Sequence, residues 1–144
     1  MEYRAVEINS RTLFNKFLRL TEQIYQGNNY YVQPLYSELR EKINPLKNPF
    51  LTYGKIKLFG VIDYNRNLVG RVVSIINPVN DNIYDKEFGF FGMFESINNK
   101  RVASLLVDQV KSSLKQMKYK KLIGPVNFTT NEESGILIEG FEHS

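Results

Sequence analysis

The chain has 144 residues and a mass of 16.8 kDa, the size of one domain, and its 42% hydrophobic and 24% charged residues are typical of folded proteins. It contains no cysteine, so disulfide scaffolds, thiolate metal sites and cysteine nucleophiles are excluded. Nineteen basic against fifteen acidic residues give a net charge of +4, which permits phosphate binding without requiring it. We expect residues 1–144 to form a single domain.

The first fifty residues predict one strand and two helices. Residues 3–8 alternate imperfectly between apolar and polar side chains, as a strand does. Ser10 or Thr12 can cap a helix whose apolar stripe continues until Gly27 ends it. Pro34 suits the first turn of a second, short helix, which stops before the next proline.

The middle of the chain predicts three strands. Residues 56–62 and 68–76 are rich in β-branched and aromatic side chains and flank a polar turn of hairpin length, so they predict two antiparallel strands. Residues 77–85, rich in Asn, Asp and Pro, predict a loop. Residues 88–94 predict a third strand, in which two glycines favour a bulge or the close approach of another backbone.

The last third predicts a long helix between strands. Asn98 or Asn99 can cap a helix over residues 101–117, whose apolar positions share one face. Residues 121–126 and 135–139 predict two further strands, separated by a polar turn. A strand, a helix and a strand in this order imply that the two strands are parallel neighbours. The expected architecture is a mixed sheet with helices packed on its faces.

This order of elements resembles the GCN5-related N-acetyltransferase (GNAT) fold, an α/β (α+β) fold with a mixed, mostly antiparallel sheet and helices on both faces. Five segments are similar to a bacterial group of acetyltransferase-like proteins: FGFFGMFE at 88–95, GPVN at 124–127, EGF at 139–141, YVQPL at 31–35 and NPF at 48–50. The resemblance covers nearly the whole chain.

The resemblance implies acetyl-CoA or another acyl-CoA as the coenzyme. In that family the pantetheine arm lies between the fourth and fifth strands, and the pyrophosphate sits on the amides that start the following helix. On these grounds we assign coenzyme contacts to Phe94, Asn98, Asn99, Arg101, Ala103, Asn127 and Asn131. Arg101 stands where the family has glycine, and its side chain either blocks the phosphates or binds them through its guanidinium. Asn127 and Asn131 are also common turn residues, because their side chains bond the local backbone.

The resemblance also implies a catalytic base and a substrate cleft. Glu95, at the end of the fourth strand, would remove a proton from the substrate amine. The alternative is an exposed carboxylate that bonds nearby loop amides. Tyr30 and Tyr31 are near the family's acceptor site and are assigned to substrate binding, although aromatic side chains in such places also complete cores.

The implied function is an acyl-CoA-dependent N-acyltransferase domain that moves an acyl group to a small-molecule amine. The competing hypothesis is a non-catalytic GNAT-like module that binds a ligand or a partner. Two departures favour it: Arg101 replaces a glycine, and residues 128–141 lack the tyrosine that often protonates the leaving thiolate.

A basic cluster at the C-terminal end of the predicted long helix consists of Lys115, Lys118, Lys120 and Lys121. It is compatible with nucleic acid, but lysines also suit the C-terminal end of a helix, so nucleic acid is not expected. No segment is long and apolar enough to span a membrane, and no leader pattern opens the chain. We therefore expect a cytoplasmic protein without a membrane partner.

No metal is expected, since the sole histidine, His143, stands at the end of the chain and the acidic pairs lack further ligands. Proteins of the group that the sequence resembles continue beyond the EGF segment, so we consider the domain truncated at its C-terminus. A last strand at residues 135–139 would then leave an open sheet edge. We expect a second copy to cover this edge, giving a homodimer.

Overall fold

The computed structural model describes residues 2–129 and 131–142. In this part of the chain the sheet has five strands: β1 (Arg4–Glu7), β2 (Lys55–Ile62), β3 (Leu68–Ile76), β4 (Phe88–Ser96) and β5 (Lys121–Ile123). They lie side by side in chain order, and each neighbouring pair is antiparallel except β4 and β5, which are parallel. The predicted mixed, mostly antiparallel sheet is confirmed.

Helices cover both faces of this sheet. The described helices are α1 (Arg11–Ile24), α2 (Tyr36–Lys42), α3 (Pro78–Tyr84), α4 (Lys100–Gln116) and a 3₁₀ helix at Pro49–Thr52. The core under α1 includes Phe17, Leu18, Val73 and Ile75. The core under α4 includes Val61, Val72, Leu106 and Val110. Because both faces of β3 are covered, its sequence is apolar at nearly every position instead of alternating.

Local chemistry sets the two ends of α1. Ser10 Oγ accepts a hydrogen bond from the Leu13 amide at 3.2 Å, so the helix begins at a predicted cap. The helix ends at Ile24, shortly before Gly27, whose φ of 80° lets the chain turn. Tyr25 is therefore the first residue beyond the helix and belongs to the connection towards α2.

Strand β4 contains an extra residue near its end. Val73 of β3 lies opposite Gly92, but Arg71 lies opposite Glu95, so two residues of β4 face one residue of β3. One of the two is Met93, whose φ of 49° lies in the left-handed region. The strand therefore has a β-bulge, as its glycines predict.

The predicted loop over residues 77–85 is wrong, because α3 occupies most of it. Asn77 Oδ1 accepts a hydrogen bond from the Val79 amide at 3.1 Å, and Pro78 lies in the first turn. Asn and Pro are frequent in loops, but in this order they also start a helix.

The predicted strand at residues 135–139 is also wrong. In the described chain beyond β5, strand pairing is reduced to one bridge between Val126 and Ser134. Strand β5 itself ends at Ile123 instead of residue 126, since Pro125 has no N–H to donate to a ladder. The homodimer stays a prediction, without the edge strand from which it was inferred.

Candidate active site

A cavity of about 620 Å³ opens where β4 ends. Its walls come from the α1–α2 connection, α2, the bulged end of β4 and the chain beyond β5. Its polar lining includes Tyr25, Tyr31, Arg71, Glu95 and Asn127. Its apolar lining includes Pro34, Leu39, Ile136, Leu137 and Phe141. The cavity thus combines titratable groups with apolar surface.

Glu95 is a partly buried carboxylate in this cavity. Its Oε2 accepts a hydrogen bond from the Tyr25 hydroxyl at 2.8 Å, and Arg71 lies opposite it on β3. Burial raises the pKa of Glu95, whereas the Tyr25 hydrogen bond and the positive charge of Arg71 lower it, and the net result is a rise. A carboxylate in this state is a stronger base than an exposed one.

Two tyrosines form one wall beside this carboxylate. The rings of Tyr25 and Tyr31 are stacked, with centroids 3.9 Å apart and an interplanar angle of 13°. Burial, followed by the hydrogen bond to Glu95, raises the pKa of Tyr25 above its ordinary value. Burial also raises the pKa of Tyr31. Both hydroxyls therefore stay protonated at neutral pH and can donate hydrogen bonds.

Arg71 is a buried cation below the tyrosines, with 3% of its surface exposed. Its Nη1 donates to the Phe17 carbonyl oxygen at 2.6 Å, and its guanidinium carbon lies 5.3 Å from the centroid of the Phe17 ring. Within the described chain its Nε has no hydrogen-bond partner. Burial lowers the pKa of Arg71, and the negative charge of Glu95 opposes that change.

Asn127 connects the chain beyond β5 to the bulge of β4 through a hydrogen bond. Its Oδ1 accepts a hydrogen bond from the Met93 amide at 2.9 Å, and its Nδ2 donates to Glu133 Oε2 at 2.6 Å. Gly92 allows this approach, because a Cβ there would overlap the carbonyl oxygen of Val126. The Met93 amide, at the centre of the bulge, is therefore paired within the protein.

The same chain segment is also anchored to α2 and to the core. Lys42 of α2 and Glu132 form an ion pair at 3.0 Å. Phe128 is buried, and its ring centroid lies 5.9 Å from that of Phe50. These contacts hold the wall that carries Ile136 and Leu137.

The start of α4 holds a second group of predicted residues. Asn99 Oδ1 accepts hydrogen bonds from the amides of Arg101 at 2.9 Å and Val102 at 3.2 Å. These are two of the donors that a helix start offers to an anion. The side chain of Asn99 thus stands where an anionic oxygen would bind. Asn98 and Arg101 are exposed, and Ala103 is partly buried.

The structure brings together five of the predicted site residues in the lining of the cavity: Tyr30, Tyr31, Phe94, Glu95 and Asn127. Asn98, Asn99, Arg101 and Ala103 lie around the start of α4. Asn131 is exposed and does not line the cavity.

The sequence reading missed Tyr25 and Arg71. Tyr25 follows Ile24 at a spacing that suits the apolar stripe of α1, and nothing in a single sequence links it to Glu95. Arg71 carried a signal, since it is a lone charge within an otherwise apolar strand. Arginine is rarely buried unless other groups contact it, so such a residue is a candidate for a polar site.

Two further features of residues 2–129 and 131–142 concern metal ligands and the length of the helices. These residues contain no group of three or more His, Asp or Glu side chains that could hold a metal ion. Their helices include none that is long and apolar enough to cross a membrane. His143 lies outside the described residues.

No family model matches the chain, but two curated proteins do. It is 31% identical over 137 residues to protein YghO of Escherichia coli (strain K12). It is 24% identical over 139 residues to a bacterial ceramide synthase of Caulobacter vibrioides. The alignments cover 92% and 96% of this chain but 35% and 36% of the two relatives. The chain therefore spans about a third of the length of the curated relatives it matches.

Solved acetyltransferase structures share the architecture. An acetyltransferase of the GNAT family from Staphylococcus aureus MU50 has a TM-score of 0.59 at 13% identity, over 88% of this chain and 74% of that chain. An aminoglycoside acetyltransferase from an uncultured soil metagenomic sample has a TM-score of 0.54 at 13% identity, over 85% of this chain and 74% of that chain. At these identities the likeness is one of fold.

Proposed function

We propose that this chain, which has the GNAT acetyltransferase fold, forms the active-site domain of an acyl-CoA-dependent N-acyltransferase. The observation that carries the proposal is the environment of Glu95. Its carboxylate lines the cavity, accepts a hydrogen bond from Tyr25 and lies opposite Arg71. The raised pKa of Glu95 suits a group that must take a proton from an amine near neutral pH.

In the proposed reaction the amine nitrogen bonds to the acyl carbon, and the bond between that carbon and sulfur breaks. The nitrogen loses a proton to Glu95, and this proton passes through solvent to the departing sulfur. Tyr25 holds the carboxylate through its hydroxyl. We assign Tyr25 to this positioning and not to proton donation, because a raised pKa makes the hydroxyl a weaker acid.

An acyl-CoA would supply the acyl group in activated form, as a thioester. The residues at the start of α4 are suited to bind the anionic phosphates of the coenzyme. Lys100 and Arg101 are exposed there, and the first turn has no acidic residue. The two amides bonded to Asn99 now have an uncharged acceptor. A charged phosphate oxygen is the stronger acceptor at this end of a helix. We propose that the coenzyme displaces the side chain of Asn99.

Long-chain substrates are supported by the cavity lining and by one relative. Ile136, Leu137 and Phe141 line the cavity and are 63%, 60% and 56% exposed. The Caulobacter relative is named a ceramide synthase, and ceramide is the amide of a fatty acid with a long-chain amino alcohol. An apolar chain on either the acyl donor or the amine would cover these side chains.

The second candidate function is a non-catalytic module that binds a ligand or partner. Two observations favour it: the Met93 amide is paired with Asn127, and the α4 amides are paired with Asn99. Both sets of donors are satisfied without a coenzyme.

Coenzyme binding is the first test. The protein is titrated with acetyl-CoA, palmitoyl-CoA and free CoA and followed by calorimetry and thermal unfolding. A ligand that binds only the native state, at 100 times its Kd, stabilises by about 2.7 kcal/mol. For a chain of this size Tm should rise by about 5 to 10 °C. Millimolar concentrations of all three without a shift would refute the acyl-CoA proposal, and binding without turnover would favour the module.

The role of Glu95 is tested by Glu95→Gln. We expect turnover to fall about 10²- to 10⁴-fold, the range for loss of a general base, with coenzyme affinity nearly unchanged. Glu38→Gln is the matched control, because Glu38 is an exposed carboxylate in the lining of the same cavity. Equal rates for Glu95→Gln and the unmodified protein would exclude Glu95 as the base.

Two further assignments concern assembly and location. We propose a homodimer, because Ile138, which does not line the cavity, is 82% exposed and a second copy would cover it. We propose a cytoplasmic location, with which the absence of cysteine is compatible.

A further inference from the structure

The basic cluster that the proposed function leaves unused lies at the opposite end of the sheet from Glu95. Lys121 of β5 pairs with Phe88, the first residue of β4. Glu95 is seven residues further along this strand, a distance of about 23 Å. Helix α3 precedes β4, so α3 and the lysines between α4 and β5 lie at the same end.

Helix α3 has a polar inner side and an apolar outer side. On the inner side, Asp81 Oδ2 accepts a hydrogen bond from the Tyr119 hydroxyl at 2.6 Å. On the outer side, Val79 and Ile83 are 54% and 68% exposed; Tyr84 lies beside them, 50% exposed, with its ring edge-on to that of Phe88 at 5.5 Å. This is the reverse of a helix that covers a core, in which apolar side chains face inward.

Lysines flank these apolar side chains. Lys86 follows α3, and its Nζ lies 5.9 Å from the centroid of the Tyr119 ring. Lys118 and Lys120 stand on either side of Tyr119 in the sequence, and both are exposed. We call the set Val79, Ile83, Tyr84, Lys86, Lys118 and Lys120 the α3 surface.

The acidic side chains near this surface offset only part of the positive charge of its lysines. Asp81 keeps its negative charge, because its hydrogen-bond partner Tyr119 is a neutral phenol, whereas Glu87 forms an ion pair with Lys121 at 2.6 Å. Asp85 is exposed. Three lysines, Lys86, Lys118 and Lys120, therefore face two carboxylates without an ion-pair partner, Asp81 and Asp85, which leaves a net charge of +1.

We propose that the α3 surface docks onto an anionic lipid bilayer. The apolar side chains would enter the boundary between headgroups and acyl chains, and the lysines would meet the lipid phosphates. A nucleic acid would match the lysines but would leave Val79 and Ile83 without an apolar partner. The absence of a segment able to span a bilayer led us to expect no membrane partner, but docking on the bilayer surface requires no spanning segment.

Sedimentation with lipid vesicles tests this proposal. The full chain should bind vesicles that contain phosphatidylglycerol, bind pure phosphatidylcholine vesicles weakly, and be released from the former by high salt. Equal binding to both vesicle types, or none to either, would overturn the proposal. So would binding to duplex DNA that is tighter than binding to the anionic vesicles.

A single tryptophan locates the contact, because the sequence contains none. The emission of Ile83→Trp should shift to shorter wavelength with anionic vesicles and be quenched by brominated lipid chains. Tyr64→Trp is the matched control, since Tyr64 is 69% exposed in the β2–β3 turn at the other end of the sheet. A shift for Tyr64→Trp but not for Ile83→Trp would place the contact elsewhere and refute the α3 surface.

Charge-matched variants test the lysines. Lys118→Gln with Lys120→Gln should weaken vesicle binding about 25-fold, about fivefold for each lysine. Arg4→Gln with Lys16→Gln removes the same charge near the opposite end, where Arg4 pairs with Ile62, and should change binding little. Equal losses in both double variants would mean that net charge alone drives binding. A concentration-dependent dimer that Ile83→Glu abolishes, in a protein that does not bind vesicles, would identify a second copy as the occupant.

Discussion

Replacing Gly92 with alanine tests how the chain beyond β5 is held against β4. A Cβ at this position would overlap the carbonyl oxygen of Val126, a backbone atom that cannot rotate away. The chain beyond β5 must therefore move outward. That movement breaks two hydrogen bonds, one from the Val126 amide to Phe91 O at 2.8 Å and one from the Met93 amide to Asn127 Oδ1 at 2.9 Å.

The expected loss of stability follows from these contacts. Each lost hydrogen bond costs about 1 kcal/mol, and forced repacking adds about 1–3 kcal/mol. Restriction of the unfolded chain by alanine offsets about 0.4–1 kcal/mol. Gly92→Ala should therefore lower the free energy of unfolding by about 3 kcal/mol. The corresponding fall in Tm is about 6–12 °C.

Gly89→Ala in the same strand is the matched control. There the new Cβ would meet the end of the Leu114 side chain, which can change rotamer, so we expect a loss of about 1 kcal/mol. Urea unfolding followed by circular dichroism compares the two variants. Equal losses of stability in the two variants would refute this explanation. A backbone atom that cannot move and a side chain that can change rotamer would then have the same effect. Gly92→Ala should also weaken binding of any ligand in the cavity.

Three other predictions concern the site and the assembly. Tyr25→Phe removes a hydrogen bond that lowers the pKa of Glu95, so the acid limb of the pH–rate profile should move to higher pH; an unmoved limb would contradict the positioning role. Asn99→Ala should cost about 1 kcal/mol through loss of the helix cap, yet strengthen CoA binding by freeing the amides of Arg101 and Val102. Weaker CoA binding by a folded Asn99→Ala variant would argue against displacement of the Asn99 side chain by the coenzyme. Light scattering should report a dimer at micromolar concentration, and a stable monomer would exclude the proposed homodimer.

Periodicity and capping residues were enough to predict most of the fold. The apolar stripes of α1 and α4 and the β-branched runs of β2 and β3 are long, so one misleading residue does not change the pattern. Short elements were less predictable. Helix α3 has few residues and begins with Asn77 and Pro78, which suit a loop equally well. Residues 135–139 have the composition of a strand, but a strand also needs a neighbour, and composition carries no information about one.

The candidate site was predictable only where it follows the chain order of the resemblance. Glu95 and Tyr31 came from that order, and both line the cavity. The bond between Tyr25 and Glu95 joins residues 70 positions apart, so it depends on how α1 packs on the sheet. The pairing of Asn99 with the α4 amides could be predicted only in part. The sequence predicts Asn99 as a possible cap, but the same bonds occupy the donors that the resemblance assigns to phosphate.

The extra residue in β4 decides on which face of the sheet Glu95 lies. Before the bulge, Phe90 packs in the core under α1 and Phe91 in the core under α4. At the bulge, Met93 packs under α1 and Phe94 under α4, so the next residue, Glu95, lies on the side of the cavity. With unbroken alternation from Phe90, the odd-numbered positions would all face α4, and the carboxylate would point away from the cavity. A strand of the same length without the bulge would thus place Phe94 opposite Arg71 and turn Glu95 to the α4 side, whereas loss of the extra residue together with the bulge would keep Glu95 opposite Arg71.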